Sequence, residues 1–64
     1  MAAVGKLTEE AVLADIAKSN SDPDVRGAAV RKVTNEVLLA DRAENDSDSH
    51  VRKAAAERLR ALRV

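Results

Sequence analysis

The sequence predicts an all-α fold: a short α-α superhelix made of two 26-residue helix pairs behind a partial leading helix. Three observations carry this expectation. The stretch Ser21-Asp22-Pro23-Asp24-Val25-Arg26-Gly27-Ala28-Ala29 returns as Ser47-Asp48-Ser49-His50-Val51-Arg52-Lys53-Ala54-Ala55, each copy a polar cap, an apolar residue, an arginine and two alanines. At that offset residues 8–33 align without gaps on residues 34–59, with 12 of 26 positions identical, and such self-similarity is the mark of a repeat architecture. No segment alternates apolar and polar residues between hairpin turns, so strands are not expected.

Taken in order, residues 2–7 match residues 28–33, so the chain reads as starting inside the second helix of a partial repeat. Repeat one covers residues 8–33 and repeat two residues 34–59, and residues 60–64 continue the last helix. The first helix of each repeat is expected to begin after Thr8 or Thr34, whose hydroxyl oxygen can accept from a free first-turn amide. Leu7 with Val12, and Val33 with Leu38, stand at hydrophobic-staple positions. Glu9, Glu10 and Glu36 would place negative charge at the positive end of the helix dipole.

Val12, Leu13, Ile16 and Ala17 share one face by helical spacing. Their counterparts are Leu38, Leu39, Arg42 and Ala43. Arg42 breaks the stripe, so either its stem packs while the guanidinium reaches water, or that edge is less buried. The helices are expected to stop near Ser19-Asn20 and Asn45-Asp46, because Asn tolerates the left-handed conformation that ends helices. Asp22 then caps the second helix, with Pro23 at its first position, where a missing amide costs nothing. Val25, Ala28, Ala29, Lys32 and Val33 follow on one face; the later copy has Val51, Ala54, Ala55, Arg58, Leu59 and Leu62. Gly27 within a helix should cost up to ~1 kcal/mol against alanine. Two helices of about 11 residues cannot bury their own apolar faces, whereas stacked pairs can. The repeat therefore predicts like surroundings for Val25 and Val51.

Composition narrows the function. Sixty-four residues make at most one small domain, expected to expose about 4,000 Å² when folded and to bury roughly 60% of its unfolded surface. There is no Phe, Tyr or Trp, and alanine supplies much of the apolar content. Such a chain is expected to be marginal alone and steadier when stacked on a partner or a second copy, because at its front Val12, Leu13 and Ile16 are expected to be covered only by Ala3, Val4 and Leu7. Cysteine is absent, which removes disulfides and thiolate metal sites and fits a reducing, cytoplasmic setting. No apolar run is long enough for a membrane span, and Met1 to Lys6 do not read as a secretory signal. Eleven basic and eleven acidic residues cancel, which argues against charge-driven binding to nucleic acid or anionic lipid.

Asp22-Pro23-Asp24-Val25-Arg26 followed by Ala28-Ala29 resembles the second-helix entrance of HEAT repeats, including the short HEAT-like repeats of the phycobilin lyase type. Val33-Thr34-Asn35-Glu36-Val37-Leu38-Leu39-Ala40 also resembles the leucine-rich variant repeats. The likeness runs from Ala2 to Leu59, although the repeat is shorter than usual HEAT units and too few copies are present for a long concave groove. It implies a right-handed α-solenoid that scaffolds protein–protein contacts. It further implies polar ladders between neighbouring repeats, carried here by Asp46 or Asp48 with Arg26 and Arg52. DNA glycosylase and chromophore lyase activities exist on such scaffolds, but no residue of this chain supports either.

The candidate interaction surface is Arg26, Arg52, Lys53, Arg58, Arg60 and Arg63. For Arg26 and Arg52 the favoured reading is intramolecular, with Asp22 and Asp48 each four residues earlier, a spacing that supports a helix by only ~0.3–0.5 kcal/mol per exposed pair. The C-terminal helix carries Arg52, Lys53, Arg58, Arg60 and Arg63 against Glu57, while residues 34–48 carry Glu36, Asp41, Glu44, Asp46 and Asp48 against Arg42. This polarity suggests a basic face for nucleic acid or an acidic ligand. Missing aromatic stacking groups and the adjacent acidic helix weigh against it. Asp46, Asp48 and Glu57 match three places of an EF-hand loop, but Val51 stands where that loop needs glycine, so the match is accidental. His50 lacks a second histidine or a cysteine and is expected in an exposed first turn. No nucleophile motif or phosphate loop is present, and neither catalysis nor a cofactor is expected. The reading is a non-enzymatic protein-interaction module whose partner is protein, itself included, and not membrane.

Overall fold

In the computed structural model, which describes the backbone of residues 2–64 and the side chains of residues 9–64, all regular structure is helical. The elements are α1 (Ala2–Ser19), α2 (Pro23–Val30), α3 (Glu36–Asn45) and α4 (Ser49–Leu62), and no strand occurs among the described residues. α1 packs on α2, α3 on α4, and α2 on α4, with a smaller contact between α1 and α3. The molecule is a plate of 37 × 30 × 15 Å. Its accessible surface of 4448 Å² exceeds the about 4,000 Å² of a compact chain of this mass, because a thin plate leaves edges open.

The entrances of α2 and α4 follow from one local device used twice. Asp22 and Asp48 hold extended backbone, with φ −90° and −100°, and each side chain accepts from an amide two residues on, Asp24 N at 2.9 Å and His50 N at 2.8 Å. Pro23 opens α2 where no amide donor is needed. Upstream, Asn20 Oδ1 accepts from Asp22 N and Asp46 Oδ1 accepts from Asp48 N, both at 2.9 Å.

Elsewhere the structure corrects the sequence reading. α1 runs unbroken through Thr8, so no helix begins there, and Glu9 and Glu10 lie within a helix instead of at its positive end. The staple pairing of Leu7 with Val12, and the cover of the front by Ala3, Val4 and Leu7, lie outside the described side chains. In the second copy the cap is Asn35, one residue later than Thr34, with Asn35 Oδ1 accepting from Leu38 N at 3.1 Å. Thr34 instead donates its hydroxyl to Glu10 Oε1 at 3.3 Å. The reason for the difference between copies is local. Glu9 stands at the place of Asn35, and glutamate continues a helix where asparagine caps one. No non-glycine residue among those described has positive φ, so the helices do not end in left-handed residues; Asp46 leaves α3 extended, at φ −64° and ψ 138°.

The core is Ala17, Ala29, Val30, Val33, Leu39, Val51, Ala54 and Ala55, with Leu13, Ile16, Leu38, Ala43, Leu59 and Leu62 packed around it. On α4 this is the stripe the spacing predicts. On α2 the buried set is Arg26, Ala29 and Val30, so the helix is turned toward α4, and Val25 and Ala28 face out. Val25 is 40% exposed and Val51 1%, so the expected likeness of their surroundings fails. The first hairpin covers Val51; nothing in the described structure covers Val25 in the same way. Gly27 lies on this approach, and a Cβ there would lie 4.0 Å from Val51 Cγ2, an ordinary contact that the packing can accept.

Candidate functional site

The polar centre of the molecule lies where the α3–α4 turn meets α2. Arg26, one turn into α2, donates Nε to Asp46 Oδ2 and Nη2 to Asp46 Oδ1, each at 3.0 Å. Its third arm, Nη1, donates to the Asn20 carbonyl at 2.7 Å. Both partners are buried, the Asp46 side chain to 1% exposure. A two-pronged guanidinium–carboxylate pair fixes orientation as well as contact. Asp46 also receives Arg42 Nη1 at 3.3 Å and the Asp48 amide, so its oxygens are fully engaged. Among the described residues no buried side-chain polar atom is left without a partner.

This geometry sets the proton affinities. Burial pulls the Asp46 carboxyl upward, but the hydrogen bond from Arg26, the Asp48 amide and the charges of Arg26 and Arg42 outweigh it and hold the group below its ordinary value. Arg26 is held further into its protonated form, first by its hydrogen bond to Asp46 against the pull of burial, then by the charges of Asp46, Asp48 and Asp22. The Asp41 carboxyl is also held low, by hydrogen bonds from Arg42 and then from Asn45.

The partner of Arg26 is thus Asp46 of the other hairpin. Its own helix cap Asp22, four residues away, is engaged with the Asp24 amide. Arg42 resolves differently from either alternative. Its side chain is 15% exposed, and its guanidinium turns to Asp41 at 2.7 Å and Asp46 at 3.3 Å.

The remaining sequence-derived surface residues are dispersed. Arg52 donates Nη1 to the Asp46 carbonyl at 2.6 Å. Arg58 donates Nε to the Val33 carbonyl at 2.9 Å, tying α4 to the end of the first hairpin. Arg63 donates to Glu36 Oε1 at 3.1 Å across the surface. Lys53 and Arg60 are exposed. Asp48 is occupied as a cap, and the His50 side chain lies open to solvent beside it. Among the described residues no group of histidines and carboxylates has the arrangement of a metal site, and no helix is long and apolar enough to cross a membrane.

The front face of Leu13 and Ile16 forms one wall of an open apolar groove of about 170 Å³ between α1 and α2, whose lining also includes Val25, Ala28, Ala29 and Lys32. A second hollow of about 370 Å³ beside it is lined by Glu9, Val12, Leu13 and Lys32. The 26-residue alignment could have located this groove. Four of its six counterparts in the second hairpin, Leu39, Val51, Ala54 and Ala55, belong to the buried core, and the other two are Arg42 and Arg58. Comparison with known proteins adds nothing to this geometry: no protein-family model, no curated protein and no solved structure matches the chain.

Proposed function

We propose that the chain is a non-enzymatic, HEAT-like α-solenoid module that binds protein through its open apolar edge, by stacking on a larger helical array or on a second copy. The observation that carries this reading is the contrast between the two hairpins. The face built from Leu39, Val51 and Ala54 is covered by a helical neighbour, while the matching face of Leu13, Val25 and Ala28 is open, with Val25 at 40% exposure and the adjoining Val12 at 52%. Repeat units bury their apolar stripes against adjacent units, so an open stripe of the same composition is suited to one more helical neighbour. Nucleic-acid or acidic-ligand binding through the basic C-terminal helix is supported less well. Arg52, Arg58 and Arg63 already donate to protein oxygens, and no aromatic side chain is available for stacking.

Sedimentation velocity over the micromolar range tests the reading, with Val12→Glu and Val25→Glu beside the wild type. Both sites are exposed enough for the hairpins to keep their helical content. Association that these charges weaken is the expected result. A clean monomer at every concentration removes self-stacking, and association indifferent to both substitutions removes this edge as the docking face.

A further inference from the structure

Folding uses up four of the six basic residues that the sequence sets out as a surface. Arg26, Arg52, Arg58 and Arg63 each donate to a protein oxygen, whereas Lys53 and Arg60 are exposed and, among the described residues, bond none. Lys53 and Arg60 stand seven residues apart on α4, so they share its outer face, with Ala56 and the exposed Glu57 between them. The buried residues Val51, Ala54 and Ala55 lie on the opposite side. α3 carries the inverse pattern. Leu39 turns inward, and the outer face shows Glu36, Val37, Ala40, Asp41 and Glu44. Val37, at 82%, is the most exposed large apolar side chain within the described helices. Asp41 is held by Arg42 and Asn45 and Glu36 by Arg63, while Glu44 has no ion pair among the described residues. Beside this stripe stands one base, the exposed Lys18 of α1, whose charge reaches Asp41. The α3 face is thus acidic with one base at its side, and the α4 face is basic with one acid in its middle.

We infer that these two faces are the halves of one contact between copies, in which the outer face of α3 receives the outer face of α4 from a second chain. The occupant is this chain itself, because each charge on one face finds its opposite on the other. The helices run antiparallel in the contact, with Glu44 opposite Lys53. Val37 then lies under the aliphatic stem of Arg60, whose guanidinium extends toward Glu36. Glu57 meets the small Ala40, with Lys18 beside it as the positive mate. A parallel arrangement matches the same seven-residue spacing, from Val37 to Glu44, but sets Glu57 against Asp41, and like charges in direct opposition exclude it. Since α3 meets α4 and not another α3, the contact is head-to-tail and passes from copy to copy without closing on a two-fold axis. It goes beyond docking at the apolar edge, needs neither Val12 nor Val25, and weakens with added salt because its charges are exposed.

Charge exchange between two chains tests the contact. Glu44→Lys and Lys53→Glu each alter an exposed side chain, and each opposes like charges when the variant meets its own kind. In an equimolar mixture every contact regains an opposite pair, since the altered α3 face meets the altered α4 face and the unaltered faces meet each other. Sedimentation velocity at low salt reads the outcome. Wild-type chain should associate, each variant alone about tenfold or more weakly, and the mixture as strongly as wild type. The Val12→Glu/Val25→Glu chain should still associate by this contact, which separates it from the apolar edge. Circular dichroism of each chain guards against a folding defect. Variants that associate as wild type does, or a mixture no stronger than its two components, overturn the inference and leave docking at the edge standing. A wild-type chain that stays monomeric at low salt overturns it as well, while docking of the edge on a larger helical array is decided separately at Val12 and Val25.

Discussion

Arg26 and Asp46, twenty residues apart in sequence, meet as a bidentate pair that is buried on both sides. The contact joins the two hairpins at their polar centre. A buried pair of this kind is not a large net source of stability, because both ions have lost water. Breaking one partner is costly, since the other is left charged and unpaired.

Asp46→Ala should therefore lower stability by about 3–5 kcal/mol, and Asp46→Asn by less, as the amide still offers one acceptor. Urea denaturation followed by circular dichroism measures both. A domain this small has little stability to spare, so the alanine variant is expected to be largely unfolded near room temperature. Equal, small losses for the two variants would show that the pair is not buried in solution.

Acid should act through the same carboxylate. The Asp46 carboxyl is held below its ordinary value of 3.8 in the folded chain. Its contribution is thus fully present above that value and is lost as the pH falls through the lower, folded one. Asp41 acts with the same sign. The urea midpoint should fall with acidification below about pH 4, and the slope should be shallower in Asp46→Asn. An unchanged slope would show that Asp46 does not couple protonation to folding.

At the start of α3, the residue that matters is Asn35. Asn35→Ala should cost about 1 kcal/mol, the usual loss for an asparagine cap. Thr34→Ala removes only an exposed bond to Glu10 and should stay within about 0.5 kcal/mol. Thermal melts separate them, at roughly 4–8 °C per kcal/mol for a chain of this size. The reverse order would return the cap to Thr34.

Val25 and Val51 provide the same substitution at the same repeat position. Val51→Ala, at 1% exposure, should cost about 1.5–3 kcal/mol, and Val25→Ala, at 40% exposure, less than half as much. Similar losses would mean that Val25 is covered in solution, and the concentration dependence of its melt would say whether a second copy does the covering.

Gly27→Ala should stabilise the chain by about 0.4–1 kcal/mol, since alanine is the better helix former and narrows the unfolded ensemble. The added Cβ meets Val51 Cγ2 only at contact distance, 4.0 Å. A lower melting temperature would show that the approach of α2 to α4 is tighter than this distance.

Much of the chain was legible because its signals are local. Asp22, Pro23 and Asp48 announce helix entrances by chemistry that needs no tertiary partner. What escaped depended on the rest of the molecule. Thr8 and Thr34 are identical, yet the helix passes through one and starts after the other, because the neighbouring Glu9 or Asn35 decides. The Val25 stripe was misjudged because a repeat pattern marks which face is apolar in every copy and not which copy has a neighbour on that face. Between Asp46 and Asp48 as the mate of Arg26 the sequence could not choose. The choice followed from Asp48 being engaged as a cap, with its oxygen toward the His50 and Val51 amides. The apolar groove was recoverable from the alignment, by asking which residues of the first copy correspond to the core of the second.

The clamp at Asp46 also governs how the molecule comes apart. Its oxygens are filled by groups from α2, from α3 and from the first amides leading into α4. Peeling one hairpin away would break both prongs of the Arg26–Asp46 pair at once, so half-melted forms lose that pair besides their apolar contacts. The two copies should consequently melt in a single all-or-none transition, a cooperativity that identical but uncharged seams between repeats would not by themselves impose.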